Sequence, residues 1–151
     1  MHPVVVCLSS FGGSLAGSIV PIISSEAILL GLAATAPAAL ATPILVLAVL
    51  GQMVGKTAFF MAGRGVFRLP KGKRWERVND VAARLEKRRG LAGAILFASA
   101  LAGVPPFFLM PVACGMIGLS FPLFLLLGTA GRLVRFGAIV YFPHALMGLF
   151  A

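Results

Sequence analysis

Acidic residues are scarce in this chain: four Asp and Glu in 151 residues, against thirteen Lys and Arg. With charged residues at 11% and hydrophobic ones at 60%, it falls outside the usual soluble range of about a quarter charged. A water-facing shell for a globular domain is therefore excluded, and the chain reads as an all-α integral membrane protein. Two cysteines, Cys7 and Cys114, and two histidines, His2 and His144, are too few and too scattered for a metal motif. No Ser-His-Asp set, P-loop or acid cluster is present, so an enzyme is not expected, and neither a cofactor nor a metal is implied. The N-terminus has no basic stretch before its apolar run, so no cleaved signal peptide is expected.

The basic residues are confined. All of the thirteen except Lys56, Arg132 and Arg135 lie within 64–90. Such a block between two apolar stretches follows the positive-inside rule and predicts a cytoplasmic loop in a multi-pass cell-membrane protein. It argues against nucleic acid and for membrane lipids with anionic headgroups as partners.

One polar interruption organises the first apolar stretch: Pro21-Ile22-Ile23-Ser24-Ser25-Glu26. Pro21 removes a backbone donor and clashes with the preceding turn. Glu26 facing lipid would cost roughly 2 kcal/mol or more. Such a break fits a membrane only where protein or a wet cavity surrounds it. The segment after it, 27–36, is too short to span, since about 20 residues are needed. A re-entrant hairpin is expected, with Ser24 or Ser25 capping the second helix; the alternative is one kinked span over 4–32. Gly13 and Gly17 make a small face for close helix packing. Residues 44–62 then read as a span that carries Gly51, Gln52, Gly55 and Lys56.

Residues 75–89 predict an amphipathic helix lying at the membrane interface, the alternative being a solvated connector whose basic residues serve topology alone. Trp75, Val78, Ala82 and Leu85 share one side, Asp80 and Arg84 are spaced to pair, and Gly90 ends it. A second interrupted segment follows, broken at Gly103-Val104-Pro105-Pro106. The last span, 123–149, holds Arg132 and Arg135, three residues apart and so on one face. The order of interrupted segment, turn and span thus occurs twice, in 1–63 and 91–151, about the basic insert 64–90. That predicts an inverted repeat of re-entrant hairpin plus transmembrane helix in a single membrane domain. Pro21, Ser25, Gly103, Pro105 and Pro106 mark its breaks, and paired breaks of this kind point to a transport site.

At these residues the chain resembles the DedA superfamily, also called the VTT or SNARE-associated membrane protein family. The resemblance rests on the Pro21-to-Glu26 segment, on Gly51, Gly55, Gly63 and Arg64, and on Glu86-Lys87-Arg88-Arg89-Gly90. Pro105, Pro106, Pro111, Gly115, Met116 and Phe121 continue it, covering roughly residues 15–145. Gly131-Arg132-Leu133-Val134-Arg135-Phe136 is most similar to the YqaA-like branch. Many bacterial members carry arginines around the second proline turn, where this chain is uncharged. The resemblance implies an inner-membrane protein that translocates lipid, either an anionic phospholipid or a polyprenyl phosphate.

The residues themselves point to an anionic headgroup. Arginine matches phosphate with two parallel donors, so Arg132 and Arg135, with Lys56, are the expected substrate-binding residues. Glu26 is the expected proton-coupling residue, binding a proton or releasing the arginines in turn. The opposing reading makes Glu26 a structural partner of Arg132 or Arg135. Lys56 is equally open to reaching an interface. A scaffold protein or a small-solute transporter remains as an alternative function, and a homodimer as an alternative to a monomer.

Overall fold

The computed structural model describes residues 2–20, 22–65, 72–103 and 109–150, without the side chains of 74 and 144–150. Pro21, Pro105 and Pro106 lie outside the described residues. The regular structure described is helical throughout, and no strand occurs among the described residues.

In chain order the helices are α1 (Pro3–Ile19), α2 (Ser25–Thr35), α3 (Ala41–Gly63), α4 (Lys73–Lys87), α5 (Ala92–Ala102), α6 (Met110–Met116) and α7 (Phe121–Phe150). Two of these runs, Ala38–Gly63 and Phe121–Pro143, are long and apolar enough to cross a membrane. α1, α2 and α5 are apolar but shorter. Two compact units emerge: Met1–Gly55 with Arg132–Ala151, and Lys56–Gly131. They do not follow the expected halves 1–63 and 91–151. The cuts fall inside α3 and α7, because each long helix serves one unit with its first part and the other with its last.

In the first unit α1 and α2 form an antiparallel hairpin, not a single kinked helix. The Cβ positions of Gly13 and Gly17 face Ile28 and Ser25, so the paired numbers run in opposite directions. A real Cβ at Gly17 would meet the Ile23 carbonyl oxygen at 2.8 Å, and only glycine lets α1 end that close to the turn. Ser24 caps α2: its Oγ accepts from the Ala27 N–H at 3.2 Å. Gly51 of α3 lies so close to α1 that a Cβ would strike the Phe11 carbonyl oxygen. The seam between them is polar. Ser10, Ser14 and Ser18 recur every fourth residue on the buried face of α1, and Ser10 Oγ donates to the Ile44 carbonyl at 2.7 Å. Along α7, Tyr141 and Thr42 hydroxyls meet at 2.8 Å.

In the second unit Phe60 stacks on Phe124 at 4.5 Å and lies 5.7 Å from Phe121. A Cβ on Gly63 would strike the Val112 carbonyl, which brings α3 and α6 into backbone contact. α4 matches the expected amphipathic helix, but Val78, Ala82 and Leu85 are buried within the unit. Those three side chains are thus covered by the protein itself, while Trp75 and Val81 are only part-buried. Among the described residues Asp80 and Arg84 do not pair. Gly90 does not end the helix in the left-handed conformation; it sits in a short 3₁₀ turn, Arg89–Leu91. Gly103 does adopt that conformation, at φ 79°, and ends α5 with its N–H on the Ser99 carbonyl at 2.8 Å. Two arginines of the basic insert bind carbonyls beyond α6: Arg64 Nη2 donates to Leu119 O at 2.7 Å, and Arg89 Nη2 to Ile117 O. Cations at a helix C-terminus also oppose its negative dipole end.

Candidate functional site

Intramembrane charge is where sequence reasoning placed function, and the first unit gathers three of the four charged residues it named. Glu26 lies in the first turn of α2, where the helix dipole favours an anion. Arg132 and Arg135 lie one turn apart on α7, so both guanidiniums come within ion-pair range of the same carboxylate. Arg135 Nε donates to Glu26 Oε1 at 2.8 Å, and its Nη2 lies 2.8 Å from the same oxygen. Arg132 Nη1 stands at 3.8 Å from that oxygen, beyond hydrogen-bond reach. Two cations and one anion leave the cluster with a formal charge of +1.

The three side chains differ in access. Arg132 is 8% exposed, Arg135 27% and Glu26 39%. Arg132 is held from behind: its guanidinium lies 5.4 Å from the centre of the Phe136 ring, within cation–π range. Beside Glu26 a groove of about 360 Å³ runs between α2 and α7, lined by Ala27, Leu30, Ala138, Ile139 and Phe142. Of the charged cluster, Glu26 lines this apolar slot, while Arg132 and Arg135 are not among its lining residues. A molecule with an anionic head and an aliphatic tail matches both parts.

The neighbouring Ser25 is fixed from α3. Gln52 Nε2 donates to Ser25 Oγ at 2.6 Å, both residues being buried. This bond, with the Ser24 cap, sets the turn that aims Glu26. Two further buried oxygens, Gln52 Oε1 and Ser14 Oγ, have no hydrogen-bond partner among the described residues. Buried polar atoms are usually satisfied, so this seam is unusually polar for a helix interface. The serine row of α1 was not singled out from sequence. Its spacing at 10, 14 and 18 was the available signal.

Lys56 belongs to the second unit. It is 3% exposed, and its Nζ lies 5.6 Å from the centre of the Phe59 ring. The lysine is thus enclosed and does not extend to the surface. Ser25 begins α2, and Gly103 follows the last residue of α5. No family model matches the chain, and no curated protein or solved structure is significantly similar to it.

Proposed function

We propose that the chain is a multi-pass membrane protein that moves an anionic lipid, with Glu26, Arg132 and Arg135 as the headgroup site. Membrane integration is supported by where the apolar side chains lie. Leu8, Leu126 and Phe142 are each more than 60% exposed, and Val4, Val5, Val54 and Val134 more than half. Water would penalise such a surface; lipid would not. The α1–α2 hairpin, with an ionisable residue at its turn, supports a re-entrant element, and the α5–α6 interruption supports a second one in an inverted repeat. Basic residues 64–90 then face the cytoplasm. These features agree with the resemblance to the DedA superfamily, and the reading needs no catalytic group.

The observation that carries the proposal is the Arg135–Glu26 contact at 2.8 Å beside an apolar groove. A carboxylate on two guanidiniums occupies the position that a phosphate would take. Glu26 acts as a tethered competitor: protonation, or arrival of a headgroup, transfers the arginines from carboxylate to phosphate. Loss of the phosphate returns them. Lys56 stays a candidate contact for the second unit, and a homodimer is compatible with this scheme.

A short-chain anionic phospholipid tests the competition directly. Glu26→Gln takes the cluster from +1 to +2, so binding tightens, on the order of tenfold for one partly exposed charge screened nearly as in bulk water. Arg135→Gln weakens it by a similar factor. Equal affinity in both variants and the wild type would sink the proposal. A second reading, that the pair is a brace between α2 and α7, draws on the same contact. It predicts destabilisation in both variants with binding unchanged.

A further inference from the structure

The second unit holds a cleft that the Glu26 site does not involve. It lies between α4 and α5 and has a volume of about 380 Å³, within the range of small-molecule sites of roughly 300–1,000 Å³. Val81, Leu85 and Ile95 form its apolar walls. Arg84, Lys87 and Arg88 also line it, mainly through their aliphatic stems, so three cationic side chains border an aliphatic slot.

These cations are distinguished from the others of the basic insert. Arg64 and Arg89 bind the carbonyls of Leu119 and Ile117 and belong to the architecture. Arg84, Lys87 and Arg88 have no carboxylate within 4 Å among the described residues. The acids of α4, Glu76, Asp80 and Glu86, do not line the cleft. Val78, Ala82 and Leu85 of α4 are buried within the unit, while Val81 is part-buried and borders the cleft.

We propose that this cleft binds one anionic phospholipid, with an acyl chain between Val81, Leu85 and Ile95 and the phosphate held by Arg84, Lys87 and Arg88. The charge complementarity selects the occupant. A free phosphate would use the cations and leave the walls bare, and a neutral lipid would fill the walls and leave three cations unanswered. Arginine supplies two parallel donors to phosphate oxygens and lysine a mobile point charge. The site shares no residue with the Glu26 cluster and does not depend on translocation. It fits a lipid kept as a bound partner of the cytoplasm-facing helix.

Native mass spectrometry of the detergent-solubilised full chain tests this. Phosphatidylglycerol and phosphatidylcholine of identical acyl chains compete, in a background carrying Arg132→Gln and Arg135→Gln so that the other cluster is silent. Retention of phosphatidylglycerol over phosphatidylcholine by about a hundredfold is expected, given the attraction of each of three basic residues to anionic lipid. Arg84→Gln, Lys87→Gln and Arg88→Gln together abolish that preference with the melting temperature retained. Val81→Trp fills the slot and lowers retention of both lipids while leaving every charge in place. Equal retention of the two lipids would overturn the proposal, as would a preference that survives the triple substitution. Displacement by millimolar inorganic phosphate, with Val81→Trp neutral, would overturn it in favour of a bare phosphate site. Capture of a polyglutamate peptide without lipid selectivity would overturn it in favour of a protein partner.

Discussion

Replacing Glu26 and Arg135 by glutamine, singly and together, separates what their contact contributes from what each residue does alone. Glutamine keeps the length and shape of the glutamate and removes its charge. A hydrogen bond to a charged group contributes about 1.5–3 kcal/mol. Here two donors of Arg135 share one oxygen at 2.8 Å. Solvent reaches both partners, at 39% and 27% exposure, and screening pulls exposed pairs toward 1 kcal/mol or less. The coupling energy of the cycle is therefore expected at about 1–2 kcal/mol. The parallel cycle of Glu26→Gln with Arg132→Gln is expected at under about 1 kcal/mol, because at 3.8 Å no hydrogen bond forms. Both cycles are measured by reversible unfolding in detergent micelles at low and high salt. Coupling with Arg135 should shrink at about 1 M salt, where the screening length falls to about 3 Å. A coupling with Arg132 equal to or larger than that with Arg135 would refute the assignment. So would no coupling with either.

Other substitutions test the packing that aims the carboxylate. Gly51→Ala meets the Phe11 carbonyl, a backbone atom that cannot turn aside, so it should destabilise by about 1–3 kcal/mol. Gly12→Ala has nothing within 4 Å and should stabilise by up to about 1 kcal/mol through helix propensity; thermal melts of the two variants should move in opposite directions. Ser24→Ala removes the α2 cap and should cost about 1 kcal/mol in the same melt.

How much of this was legible in the sequence depended on the kind of signal. The break before α2 was legible because Ser24, Ser25 and Glu26 cannot sit in lipid unaided, and Ser24 became the cap. Arg132 and Arg135 were legible as a pair because their spacing alone puts them on one face. Their distances to Glu26 were not, since nothing local encodes which helix lies opposite. α4 shows the same limit. Val78, Ala82 and Leu85 announce a face to be covered, but periodicity is silent on whether lipid or protein covers it. Gly90 and Gly103 both follow helices, yet only Gly103 takes a positive φ; a 3₁₀ turn carries the chain past Gly90 instead. The serine row of α1 escaped notice because small hydroxyls in an apolar helix resemble filler until a partner such as the Ile44 carbonyl is seen. The compact units cut through α3 and α7, whereas the repeated order of elements suggested cuts at the loops. Contact partners are chosen in three dimensions and the order of elements does not record them.

The most direct test of the central claim is fluorescent-lipid flipping in proteoliposomes, comparing wild type with Glu26→Gln for anionic and zwitterionic lipids. The account predicts that wild type flips the anionic lipid. Glu26→Gln should bind that lipid more tightly and flip it more slowly, because the arginines have lost the carboxylate that retrieves them. Equal flipping by both proteins, or no flipping of any lipid by the wild type, would contradict it.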